Sequence, residues 1–89
     1  MERKFELGTT VMTKSVFAKI NFDFVRECVI RHASGDWGDV CKADRLLNDR
    51  AVESGERILS SYTDDEGNKI WVITEWDRST TTVLLPEEY

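Results

Sequence analysis

Residues 57–76 read RILSSYTDDEGNKIWVITEW, and this stretch sets the architecture of the chain. Arg57–Thr63 and Lys69–Trp76 are rich in β-branched and aromatic residues and flank Asp64-Asp65-Glu66-Gly67-Asn68, a polar loop with a glycine. That pattern predicts a hairpin. Downstream, Asp77-Arg78-Ser79 turns the chain and Thr80–Leu85 predicts a further strand, which Pro86 ends because proline cannot donate to a ladder. Upstream the period changes. Asn21 is placed to cap a helix from Phe22 to His32, with Phe22, Val25, Val29, His32 and Ala33 on one face and Gly35 as its breaker. Asp39 is placed to cap a second helix from Val40 to Ser54, with Val40, Ala43, Leu47 and Ala51 as its apolar stripe and Gly55 at its end. Thr9–Val16, β-branched and preceded by Gly8, predicts a first strand. The order β-α-α-β-β-β predicts a single α+β domain: an antiparallel sheet of three to four strands with two helices packed on one face.

The middle strand carries apolar residues on both sides. Ile70, Val72 and Trp76 alternate with Trp71 and Ile73, whereas a sheet with one wet face alternates apolar with polar. Two helices cover one face. Trp71 and Ile73 therefore require either the N-terminal residues Phe5, Leu7 and Phe17 or a second copy of the chain in a homodimer.

Eighty-nine residues bury only ~60–65% of the surface of the unfolded chain, so the core is small. With 40% hydrophobic and 33% charged residues, the composition is that of an ordinary globular protein. No apolar run reaches the ~18 residues of a membrane span and Met1–Glu6 lacks the apolar stretch of a signal peptide, so a cytoplasmic protein without membrane contact is expected. Cys28 and Cys41 are far apart, and each reads as a buried, reduced small hydrophobe. The formal charge of −5, with no cluster of Lys and Arg, disfavours direct nucleic-acid binding and suits a basic protein partner. The acidic turn Asp64, Asp65, Glu66 and the tail Glu87, Glu88, together with Trp71 and Ile73, are the candidate partner interface.

Residues 31–40, RHASGDWGDV, hold the only histidine and form the corner between the predicted helices. His32 falls in the last helical turn, where an imidazolium suits the negative end of the dipole and a ring nitrogen can bond a free carbonyl. Gly35 and Gly38 supply positive φ on either side of Asp36-Trp37. Trp37 plugs the end of the core, and Asp36 accepts backbone N–H bonds or pairs with Arg78. Asp44 and Asn48, four apart on the second helix, brace the corner, and Glu75, Asp77 and Arg78 dock on it. His32, Asp36, Asp39 and Cys41 match no hydrolase or zinc spacing, so no catalytic residue, metal or cofactor is assigned. The alternative use of these residues is a small pocket built from His32, Asp36, Trp37, Asp44, Asn48, Glu75 and Arg78. There Trp37 would stack on a nucleotide-like ligand and Arg78 would hold its anion.

The combination Arg31-His32-x-x-Gly35-Asp36-Trp37-Gly38, then Asp44 and Asn48, then Ile73-Thr74-Glu75-x-Asp77-Arg78-Ser79-x-Thr81-Thr82-Val83-Leu84-Leu85-Pro86-x-Glu88-Tyr89 resembles a family of short proteins carried by plasmids, phages and integrative elements. Its members are often labelled plasmid-related, or as a type I restriction methylase subunit. Trp76 departs from the small residue common at that position. The resemblance implies a non-enzymatic accessory role on a mobile element, acting by protein binding; one form of it is inhibition of a host defence nuclease or restriction complex. Methyl transfer by this chain alone is excluded, since it lacks the Asn/Asp-Pro-Pro-aromatic loop that holds a flipped base and the glycine-rich turn that holds the cofactor.

Overall fold

Thr13 decides where the first strand stops. In the computed structural model, which describes residues 2–89, β1 covers Thr9–Met12 and the hydroxyl of Thr13 then accepts the Val16 N–H at 3.2 Å, capping a short helix α1, Lys14–Lys19. The strand expected through Val16 is thus cut short. Val16 and Ile20, four apart, point into the core instead. Asn21 caps α2, Phe22–Ala33, by accepting the N–H groups of Asp23 and Phe24, as its position predicts. The last helix, α3, covers Lys42–Ser54; its N-cap is Cys41, which is exposed rather than buried, and its C-cap Gly55 is left-handed at φ 76°. Asp39 does not cap it. That carboxylate accepts the Thr63 hydroxyl, and the Asp39 N–H bonds the Ser61 carbonyl, drawing the chain along the sheet before the helix starts.

The hairpin forms as predicted from β2, Ile58–Thr63, and β3, Lys69–Thr74, followed by β4, Thr80–Leu84, and a 3₁₀ turn at Pro86–Glu88. The sheet order is β1-β4-β3-β2. It is an α+β fold, but β1 runs parallel to β4, so the sheet is mixed and not wholly antiparallel. Three helices accompany it, α1 being the one not expected.

Val16 and Ile20 of the α1 region and Val25 and Cys28 of α2 pack on Tyr62, Ile70, Val72, Val83 and Leu85 of the sheet. A second cluster joins Phe5, Leu7, Ala33, Trp37, Val40, Ala51 and Ile58, and Val29 touches both. The apolar stripe expected on α3 is displaced. Leu47 is 59% exposed and Ala43 is exposed, whereas Asn48 and Ala51 are buried. Phe22 likewise faces solvent at the start of α2.

On the other sheet face Ile73 is 2% exposed and Trp71 half-buried. The N-terminal residues do not provide the cover. Phe5 and Leu7 sit in the second cluster and Phe17 is in solvent. Tyr89 lies edge-on to Trp71 with ring centroids 5.5 Å apart, and Arg57 stacks on the Tyr89 ring and donates to its hydroxyl. Trp71 opposes Ser61, and two positions along the ladder toward Arg57, on the same face, Ile73 opposes Leu59. Tyr89 bridges Trp71 and Arg57 on that face. Trp76, expected on the Ile70 face, is exposed because β3 ends at Thr74 and the alternation stops there.

Candidate functional site

Gly35 and Gly38, at φ 89° and 73°, make the corner after α2. A Cβ on Gly38 would stand 2.0 Å from the Ser61 carbonyl oxygen, so only glycine lets this segment lie against β2. Asp36 between them is held by Arg31, which donates from Nε at 2.7 Å and from Nη2 at 3.3 Å, and by the Gly38 N–H at 3.2 Å. The Arg31 guanidinium holds this carboxyl below its ordinary range. Its partner is thus Arg31, one helical turn away, and not Arg78. Tyr62 donates its hydroxyl to the Asp36 carbonyl at 2.6 Å, and Arg31 lies over the Tyr62 ring. Trp37 is buried as expected, stacked on Phe5 and edge-on to His32, with its indole N–H donating to Asp49 at 2.9 Å.

His32 is fully buried and bonds no carbonyl. Its Nδ1 meets the Ser60 hydroxyl at 2.6 Å and its Nε2 meets Thr74 at 2.9 Å; Thr74 meets Thr81 at 2.7 Å, and Thr81 donates to the Leu7 carbonyl at 2.8 Å. A carbonyl only accepts, which fixes the direction of the chain. Thr81 donates to Leu7, Thr74 to Thr81, and His32 Nε2–H to Thr74, leaving Nδ1 to accept from Ser60. The imidazole is neutral. Burial, helped by the positive charge of Arg78, lowers its pKa to about 3, so the imidazolium expected at the helix end does not form near neutrality.

Arg78, at φ 61°, donates to the carbonyls of Ala51 and Glu56 at 2.6 Å each and of Glu75 at 3.1 Å, and its guanidinium lies over Phe5. Three of its five N–H donors thus close the C-terminal end of α3, the turn after it and its own turn at Glu75. Glu75 faces Arg57 at 3.7 Å, and Asp77 accepts the N–H and hydroxyl of Ser79. Asn48 does not brace the corner. Its side-chain amide donates to the Leu59 carbonyl at 2.9 Å and accepts the Leu59 N–H at 3.4 Å. Asp44 lines a separate cleft with Arg50 and Arg57.

The seven residues expected to line one pocket thus fall into different environments: His32 and Trp37 share a packed aromatic cluster with Phe5, Asp36 pairs with Arg31, Glu75 faces Arg57, Arg78 closes α3, and Asp44 and Asn48 border the separate cleft. The opening at the corner, about 250 Å³ between Asp36, Trp37, Arg45 and Asp49, contains neither His32 nor Arg78. Burial pushes the Cys28 thiol up to about 12, away from nucleophilic use. Among the described residues no group of three or more His, Cys, Asp or Glu side chains is arranged to hold a metal ion, and no helix is long and apolar enough to cross a membrane. Ser60, Thr74 and Thr81 carry no sequence signal of their own, since their meeting depends on strand register. Comparison of the chain with protein-family models, curated proteins and solved structures gives no match.

Proposed function

We propose that this chain is a non-enzymatic accessory protein that binds a basic protein surface through the acidic end of its sheet. The supporting observation is topological. β3 begins beside the Asp64–Asn68 turn, and β4, antiparallel to it, ends at the same place, so the turn and the 3₁₀ tail with Glu87 and Glu88 share one end of the molecule. Within this group Asp64 is occupied in shaping its loop, accepting the N–H groups of Glu66 and Asn68, and Glu88 accepts the Leu85 N–H and the Thr13 hydroxyl. Asp65, Glu66 and Glu87 are exposed and have no partner among the described residues, which leaves their charge for another molecule. Such a surface speeds docking on a basic site and makes it salt-sensitive. The form that the resemblance implies is an inhibitor of a host defence nuclease or restriction complex, covering the site where nucleic acid would lie.

Affinity purification of the tagged chain from a host cell at physiological salt tests this. A basic protein is expected to be retained by the wild type, released by raised salt, and lost with Asp65→Lys/Glu66→Lys/Glu87→Lys. Retention of no partner, or of one indifferent to these three charges, overturns the reading.

A further inference from the structure

The two edges of the sheet are finished differently. Along β2, Trp37 and Asp39 bond the backbone of Ser61, and the Asn48 amide takes both backbone groups of Leu59. β1 lies at the other edge. The Thr9 N–H donates to the Ser79 carbonyl at 2.9 Å and the Thr13 N–H to the Val83 carbonyl at 3.0 Å, so odd-numbered residues face β4. Thr10 and Met12 consequently direct their N–H and C=O groups outward, where nothing among the described residues meets them. Edges are ordinarily blunted by shortness, lysine, proline, a bulge or a covering element. β1 is short, at four residues, but Thr10-Val11-Met12 has none of the other devices.

Beside this bare edge runs an apolar cleft of about 230 Å³ between Met12 and Val83 of the sheet and Phe22, Val25 and Val29 of α2, with Arg26 on its rim. Val29 also lines a second cleft, of about 160 Å³, that carries Glu2, Arg3 and Ile30. Phe22 is 58% exposed, and Val11 and Ile30 44% each. The surroundings are also the basic part of an acidic protein: residues 1–33 hold six Lys and Arg against four Asp and Glu, residues 34–89 six against thirteen. Arg3 and Arg26 are exposed and pair with no carboxylate among the described residues.

We infer that this edge and cleft bind an extended acidic and apolar segment of another protein, which joins the sheet as a fifth strand beside β1. Its backbone pairs with Thr10 and Met12, and every second side chain turns to the α2 face, where the apolar ones enter the cleft and flanking carboxylates reach Arg26 and Arg3. A second copy of this chain would bring the same arginines against each other, so charge favours an acidic strand. The surface is additional to the acidic end and takes a partner of opposite charge.

The test is an NMR titration of the full ¹⁵N-labelled chain with a capped nine-residue peptide whose alternate, α2-facing positions carry glutamate, valine, valine, valine and glutamate, with threonine between them. The same peptide with lysine for glutamate, and one N-methylated at alternate residues, serve as comparisons. Amide exchange at Thr10 and Met12 is expected to slow at least ~tenfold with the glutamate peptide and not with the N-methylated one. Arg26→Glu, at an exposed position, should weaken binding about tenfold, the scale of one reversed charge contact. Unchanged exchange at millimolar peptide, or equal binding of the lysine peptide, overturns the inference. So does slowed exchange at Thr10 and Met12 that rises with protein concentration and no peptide, which would assign the edge to a second copy.

Discussion

The guanidinium of Arg78 faces three carbonyl oxygens and the Phe5 ring, and it sits on a residue held at φ 61°. A left-handed backbone costs a residue with a Cβ about 1–2 kcal/mol. Charge-assisted bonds to the end of α3 offset that cost, and the same charge helps keep His32 neutral. The pH dependence of stability follows. Unfolded, His32 takes a proton near pH 6.5; folded, only near about 3. Between those values the unfolded chain binds the extra proton, so stability falls as pH is lowered through this window and is fully regained above it, with a slope of up to ~1.4 kcal/mol per pH unit. Asp36, held low by Arg31, acts in the same direction further into acid, weakly because the pair is half exposed. Urea midpoints measured from pH 7.5 to 4.5 should therefore drop for the wild type and stay nearly level for His32→Gln. A level wild-type profile would mean that the ring accepts a proton in place.

Among the elements, α3 is the one whose orientation is set from outside itself. Its buried side chains are Ala51, in the second cluster, and Asn48, whose amide does for Leu59 what a neighbouring strand would do. Asn48→Leu should leave both Leu59 backbone groups unpaired, lower stability by about 1–3 kcal/mol, and open the β2 edge to association. Chemical unfolding together with light scattering reads both effects; an unchanged midpoint would show that water replaces the amide without loss. The same residue explains a misread helix face. Periodicity selects Leu47 and Ala43 for the core, but the sheet edge needs an amide, and that demand comes from a strand ten residues further on. The hairpin, the Asn21 cap, the Gly55 stop and the corner glycines were legible because each is a local requirement on period or φ. Helix α1 was not, since Val16 and Ile20 give only two points of helical period behind a β-branched run. Nor were the partners of His32, which β2 and β3 supply in register, or the parallel pairing of β1 with β4.

For the molecule as a whole, Tyr89 finishes the outer sheet face. Tyr89→Ala should uncover Trp71 and Ile73, removing an edge-on aromatic contact and a cation–π contact worth about 1–2 kcal/mol together. A red shift of tryptophan emission and self-association at micromolar concentration are the expected signs, since the apolar face would then need a cover from another copy. An unshifted monomer would mean that Tyr89 does not screen that face. The pairing of β1 with β4 bears on how the protein comes to be made. Thr9 lies in register with Thr80, so the ribosome delivers the first strand long before its neighbour exists. At ~5–20 residues per second the interval is roughly 4–14 s. Throughout it Thr9–Met12 travels as an unpaired nascent segment, open to chaperones, while the hairpin of β2 and β3 assembles late and quickly once its residues appear.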